Sequence, residues 1–303
     1  MPFTKMNGLG NEFIVIDARQ TGTLPALTNK AVRGLAEGTH PDTHGFDQLL
    51  VIRPPRGNGD CFMEIRNADG GEVEACGNGT RAVAAFLHRQ NSQTSKTGKT
   101  DWQIETLGGD LACRVDTQSA TGDADIRVNV TLPAPKFGWQ DIPVAEEIST
   151  AGAKLHKDLP LAFLVNIGNP HAVIFASRKT KWMASKYGSD LEHHALFPQR
   201  ANINFGQILR DYARPTILLH TWERGTGLTM ACGTGACATA IAAVELGVTL
   251  TADGVLRTEV DIMPPVNRDR NESDIITIHY VPGAPDFMMR GPCAFEFDGV
   301  TML

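Results

Sequence analysis

The sequence predicts an α+β fold made of two homologous domains. Three features lead there. Short β-branched segments with alternating patterns recur along the 303 residues. Two alanine-rich segments read as helices whose small apolar residues run round most of the circumference. One such helix lies in each half, within a motif that repeats. The length agrees, at about 150 residues per domain.

In chain order, Glu12–Asp17, Gln48–Ile52 and Cys61–Arg66 read as strands, and Asn78–His88 as the first helix. Asn91–Thr100 is polar and aperiodic, which predicts a surface loop. Ile126–Leu132 reads as a further strand. Pro133–Pro143 then carries three prolines and marks a domain boundary. Ala172–Phe175 and Thr216–Trp222 read as strands, Thr234–Leu246 as the second helix, and Ile275–Tyr280 and Cys293–Phe297 as closing strands. A second break is expected over Pro282–Pro292. Small apolar residues run round most of both helices, so both should be buried on nearly every side. The domains expected are 1–132, completed by a C-terminal strand at 292–303, and 133–291.

The duplication is the most informative feature. Ala75-Cys76-Gly77-Asn78-Gly79 matches Ala231-Cys232-Gly233-Thr234-Gly235 at an offset of 232 − 76 = 156. Gly10-Asn11 and Gly168-Asn169 recur at 168 − 10 = 158. Asn67-Ala68-Asp69-Gly70 stands where Glu223-Arg224-Gly225-Thr226 stands in the second half, each starting nine residues before its cysteine. Gln48 and Asn202 lie 28 and 30 residues before theirs. Several matches in one order indicate two domains of ordinary size, not a solenoid with a period of about 20–50 residues.

Composition excludes several function classes. Lys and Arg total 28 against 34 Asp and Glu, a net charge of −6 with a pI near 5.8. A nucleic-acid partner needs clustered positive charge and is not expected. No apolar run approaches the roughly 18 residues of a membrane span, and Met1–Gly8 holds no signal stretch. A soluble, cytoplasmic protein with no membrane partner follows. The cysteines are Cys61, Cys76, Cys113, Cys232, Cys237 and Cys293, expected as reduced thiols. None forms C-x-x-C, and no histidine spacing suits a metal, so no metal site is expected. Buried cysteine is common, and Cys61, Cys113, Cys237 and Cys293 read as core.

Cys76 and Cys232 differ because their context repeats. Each precedes Gly-x-Gly and a helix. A helix start presents unpaired N–H donors and partial positive charge, which favours a bound carboxylate and a thiolate. If the domains face each other across a pseudo-two-fold axis, one sulfur lies on each side of a substrate carbon. That geometry suits removal of a proton from one face and return of one to the other, which inverts a stereocentre. The helix starts would stabilise the carbanion through its carboxylate. No organic cofactor is required.

These motifs resemble the diaminopimelate epimerase family. The likeness runs through Met6–Asn11, Gly45-Phe46-Asp47-Gln48, Asn67–Gly70, the first Ala-Cys-Gly-Asn-Gly, Gly168-Asn169-Pro170-His171, Arg200–Ile203, Glu223-Arg224-Gly225 and Ala231–Gly235. It implies two pseudo-symmetric domains, each a mostly antiparallel, barrel-like sheet around a central helix. It implies interconversion of LL- and meso-2,6-diaminopimelate, in lysine and peptidoglycan precursor synthesis, without pyridoxal phosphate or metal. By resemblance Cys76 and Cys232 are the acid/base thiols, and His171 and Glu223 tune them. Asn11, Gln48, Asn67, Asn169, Asn202, Glu223 and Arg224 are substrate contacts. Gly77-Asn78 and Gly233-Thr234 supply amides for the reacting carboxylate. Arg224 suits a distal carboxylate, because guanidinium can form two parallel hydrogen bonds. Family analogy implies a homodimer. Asn7 and the segment Glu105–Gly109 depart from the family pattern.

Three other readings share some of these features. Proline racemases and hydroxyproline epimerases pair cysteines on the same fold, but their substrates have no distal charged end. Gly77-x-Gly79-x-x-Ala82 and Gly233-x-Gly235-x-x-Ala238 satisfy a loose dinucleotide-binding pattern. That reading leaves both cysteines unexplained, and no βαβ alternation is apparent. A binding protein without catalysis is the third.

Overall fold

The computed structural model describes residues 1–20, 27–74, 76–94, 98–117, 126–210, 212–265 and 275–302. Ala75 of the first cysteine motif, and residues 95–97 of the predicted loop, lie outside them. The chain separates into two compact units, Met1–Thr131 with Arg290–Leu303, and Leu132–Met289.

The first unit begins with β1 (Pro2–Gly8) and β2 (Asn11–Asp17), then α1 (Asn29–Ala36), β3 (Gln48–Arg53), β4 (Cys61–Asn67) and β5 (Glu72–Val73). The helix α2 (Gly77–Thr94) follows, then β6 (Asp101–Thr106), β7 (Gly109–Asp116) and β8 (Ile126–Pro133). The last strand of the chain, β16 (Asp286–Val300), lies beside β8 and pairs with β1. The order β1-β2-β3-β4-β6-β7-β8-β16 therefore closes on itself. A closed barrel leaves no free edge. Leu9 (φ 62°) and Gly10 (φ 87°) form the left-handed turn between β1 and β2. Asn7 Oδ1 accepts from Gly10 N at 2.8 Å and fixes that turn.

The barrel is filled by α2. Its buried face includes Thr80, Arg81, Ala82, Val83, Ala84, Ala85 and Leu87, and it packs against β1, β2, β3, β6 and β7. Small side chains let strands approach from several directions. The opposite face of β2 and β3 is also covered. Ile14, Ile16, Leu49 and Val51 form a second core with Val32 and Leu35 of α1. Strands covered on both faces read as continuous apolar runs, and β2 and β3 are such a parallel pair.

The second unit repeats this order. It runs β9 (Ala162–Asn166), β10 (Pro170–Phe175), α3 (Thr180–Glu192), β11 (Asn202–Leu209), β12 (Thr216–Glu223) and β13 (Gly227–Leu228). Then come α4 (Gly233–Glu245), β14 (Glu259–Met263), β15 (Ile276–His279) and the start of β16. The pairing directions repeat too: β10–β11 is parallel like β2–β3, and β12–β14 is parallel like β4–β6. Gly235 to Val244 of α4 are all buried. The outer core sets Met183, Tyr187 and Leu191 of α3 against Leu164, Ile174 and Ile203. The expected α+β architecture is observed, with a largely buried helix inside each unit; the first of these also buries the polar Asn78, Thr80 and Arg81. Among the described residues, no helix is long and apolar enough to cross a membrane.

Three expectations need correction. The first helix runs on to Thr94, so the predicted loop over Asn91–Thr100 begins later. The polar residues there lie on a helical extension beyond the barrel. The break expected over Pro282–Pro292 is confined to its start, because β16 already runs from Asp286. βαβ crossovers do exist, at β2-α1-β3 and β10-α3-β11. Antiparallel neighbours such as β3–β4 and β11–β12 interrupt them, so the sheet is not doubly wound.

Candidate active site

Cys76 directly precedes α2, and Gly79 N donates to its sulfur at 3.3 Å. Cys232 is the N-cap of α4, and Gly235 N donates to its sulfur at 3.3 Å. The thiols thus take the place of a capping oxygen. Thr234 Oγ1 lies 3.4 Å from the Cys232 sulfur. Cys76 is half-buried. Cys232, 9% exposed, lines an apolar cleft with Leu219, Met230, Ile262, Pro264 and Ile276.

The two environments below these helix starts are not alike. A Cβ on Gly79 would meet Leu50 at 3.1 Å. A Cβ on Gly235 would meet Asn204 Oδ1 at 2.6 Å and Thr221 Oγ1 at 2.8 Å. Leu50 pairs across the strands with Ile65, and Asn204 with Thr221. An apolar floor in the first unit has become a polar one in the second. His171 completes it. Its Nδ1 lies 3.0 Å from Asn204 Nδ2, and its Nε2 lies 2.8 Å from Asn169 Oδ1. Burial holds the imidazole down at about 3, aided by the Arg224 cation, so the ring is neutral. Asn204 and Thr221 carry no motif. The sign available in the sequence was a polar residue in the second half opposite an apolar one in the first.

Glu223 ends β12 and accepts from Thr229 Oγ1 at 2.5 Å. Burial pushes the Cys232 thiol well above its ordinary value, and the Glu223 carboxylate adds to this. Hydrogen bonds from Thr234 and Gly235 work the other way and are outweighed. The expectation that the helix start favours thiolate fails at Cys232 in this state. Dehydration and a neighbouring negative charge exceed the helix effect, and the sulfur rests as a thiol.

The turn carrying Glu223 and Arg224 is braced from α3. Glu192 accepts from Trp222 Nε1 at 2.8 Å and from Gly225 N at 2.9 Å. Asn202 uses Oδ1 on Arg224 N at 2.9 Å and Nδ2 on Pro170 O at 3.4 Å. Asn202 is therefore engaged with the backbone of this turn. The Arg224 guanidinium touches Gln199 O at 3.2 Å.

In the first unit Gln48 Nε2 donates to Asn67 Oδ1 at 3.0 Å, across paired strands. Asn11 Nδ2 donates to Asp47 Oδ2 at 3.0 Å. Gly77 and Asn78 open α2, as Gly233 and Thr234 open α4. Among the described residues, Gln48 Oε1 and Asn78 Oδ1 are buried acceptors without a hydrogen-bond donor. Of the two departures from the family pattern, Asn7 holds the first hairpin. Glu105 accepts backbone N–H groups from Arg56, Gly57 and Gly59 at 2.5–2.8 Å, a structural task.

A family model for diaminopimelate epimerase matches residues 3–130 and 163–261. A diaminopimelate epimerase from Nitrobacter hamburgensis is 38% identical over 98% of this chain and 93% of its own. One from Erythrobacter litoralis is 42% identical over 82% of each. Among solved structures, a PhzF-family phenazine biosynthesis protein from Bacillus anthracis aligns with a TM-score of 0.67 at 13% identity, covering 100% of this chain and 99% of that one. A probable proline racemase from Agrobacterium radiobacter aligns at 0.64 and 14%, covering 100% and 93%. At such identities the structural matches show the fold alone. On the sequence matches, the chain belongs to the diaminopimelate epimerase family.

Proposed function

We propose that this chain epimerises 2,6-diaminopimelate between its LL and meso forms, with Cys76 and Cys232 as paired acid and base. One sulfur, as thiolate, takes the α-proton: the Cα–H bond breaks and an S–H bond forms. The other, as thiol, gives its proton to the opposite face of the carbanion. The exchange balances without an oxidant or a further reactant. Cys232 starts as the thiol, for the reasons of burial and of charge from Glu223 given above; one turn leaves it the thiolate and Cys76 the thiol, and the reverse reaction starts from that state. First-turn amides at Gly77-Asn78 and Gly233-Thr234 would hold the reacting carboxylate, where negative charge develops. Asn11, Asn67, Asn169 and Arg224 are the side chains assigned to the rest of the substrate. The unpaired acceptors of Gln48 and Asn78 suit an ammonium donor, whose absence otherwise costs about 1–3 kcal/mol per buried group. By family analogy the enzyme is a cytoplasmic homodimer, which light scattering in solution would test.

The observation that supports this most is the repeated sulfur. Each unit places a cysteine at the start of its central helix, with one backbone N–H at 3.3 Å from it. The test is LL-diaminopimelate in deuterated water. Wild type should take up label at one α-carbon while forming the meso isomer. Cys76→Ser and Cys232→Ser should each lower the rate at least about 100-fold, the scale of an acid–base group. Near-normal epimerisation by either variant overturns the two-base scheme. Faster turnover of proline would favour the racemase reading.

A further inference from the structure

We propose that Asn204 and Thr221 are positioning residues, which set the tautomer of His171 and thereby turn the amide N–H2 of Asn169 toward the substrate. This builds on the epimerase reading above.

The direction of every hydrogen bond in this buried chain is determined. Asn204 presents one end of its amide to the Ala172 carbonyl at 3.4 Å and to His171 Nδ1 at 3.0 Å. A carbonyl can only accept, so that end is the N–H2. The opposite end is Oδ1, which accepts from Thr221 Oγ1 at 3.0 Å. His171 Nδ1 must then be an acceptor. The neutral ring carries its hydrogen on Nε2 and donates it to Asn169 Oδ1 at 2.8 Å. With its oxygen turned to the ring, Asn169 points the N–H2 end of its amide away from it. His171 and Asn204 are 0% exposed and Thr221 is 3% exposed, so water does not compete for the bonds among these three. Asn169 is half-exposed and is the end of the chain that a ligand can meet.

The duplication supplies an internal control. Phe13 faces Gln48 in the β2–β3 register, as His171 faces Asn202 in β10–β11. Leu50 and Ile65 stand where Asn204 and Thr221 stand. Phe13, Leu50 and Ile65 are all 0% exposed. The same strand framework and the same helix start thus form over an apolar triple. The fold does not require the polar triple, and such groups are costly to bury unless every bond is made. Their complete satisfaction, in one direction, ends on a side chain assigned to the substrate.

The experiment combines nitrogen NMR of the histidine ring with kinetics on the full-length enzyme. Wild type should show His171 as the neutral Nε2–H tautomer at neutral pH. Asn204→Leu with Thr221→Ile, the pair of the first half, should mix the tautomers. It should raise KM for diaminopimelate about tenfold, the scale of one hydrogen bond to a charged group, with a smaller change in kcat. Thr221→Val should shift KM in the same direction, and Thr221→Ser, which keeps the hydroxyl, should restore it. An Nδ1–H or doubly protonated ring in wild type overturns the proposal, even if the double variant does not fold. So does a folded variant with unchanged tautomer and KM. Failure of the epimerase reading looks different: wild type would leave diaminopimelate unchanged while the ring still reported its tautomer.

Discussion

Cysteine shows how far surroundings decide what one residue type does. Cys61, Cys113 and Cys293 are buried in the first unit, and burial pushes their thiols up to about 12. A thiol that does not ionise is a poor nucleophile. Cys76 has the same side chain but is half-buried at a helix start. Alkylation of the native protein should therefore label Cys76 well ahead of Cys61, Cys113 and Cys293. Timed mass mapping of peptides measures this, and equal labelling of all four would contradict the assignment. Cys232 should lag behind Cys76, because it is buried and held as a thiol beside Glu223.

At the scale of elements, the repeated helix starts make a prediction that separates the halves. A methyl group at Gly235 would press on polar atoms at 2.6 and 2.8 Å that are tied into the His171 chain. At Gly79 it would press on Leu50 methyl groups at 3.1 and 3.3 Å, which can rotate away. Gly235→Ala should therefore reduce kcat/KM more than Gly79→Ala does, and parallel assays of the two variants decide it. Another close approach joins α3 to the site. A Cβ on Gly188 would lie 2.5 Å from the Trp222 ring, next to Glu223. Gly188→Ala should cost about 1–3 kcal/mol of stability, as overpacking does, measurable by denaturant titration. Much of this framework was legible beforehand. Strands such as β3 and β12 showed β-branched runs, and the cores of α2 and α4 showed small apolar residues round most of the helix. The helices α1 and α3 were missed, for reasons of local chemistry. α1 is eight residues long. α3 begins after Lys179 in a left-handed conformation, without a side-chain cap, and contains Gly188. The two helix-start cysteine motifs were legible because they repeat. Asn204, Thr221 and Glu192 were not, because their roles depend on cross-strand register and on packing between elements distant in sequence.

Over the whole molecule, one framework is used twice and filled differently, and the difference has a thermodynamic signature. The first half holds Phe13 where the second holds His171. The histidine titrates near 6.5 when exposed but at about 3 in the fold, mainly because burial disfavours its charged form and secondarily because of Arg224. Between these values the unfolded chain binds a proton that the folded chain does not. Its contribution to stability is therefore complete above pH 6.5 and lost progressively as pH falls toward 3. The slope is at most about 1.4 kcal/mol per pH unit for one such group. Carboxylates held low by hydrogen bonds that outweigh their burial, such as Asp17 and Asp298, lose their contributions below about pH 5. Denaturant unfolding followed between about pH 7 and pH 5 therefore isolates the histidine term. Comparison with His171→Phe, the residue of the first half, removes the terms that both proteins share. Wild type should lose stability faster on acidification than the variant does. Parallel curves would mean that His171 becomes protonated within the fold. Its ring could then no longer accept from Asn204, and the one-directional chain to Asn169 would be broken at its centre.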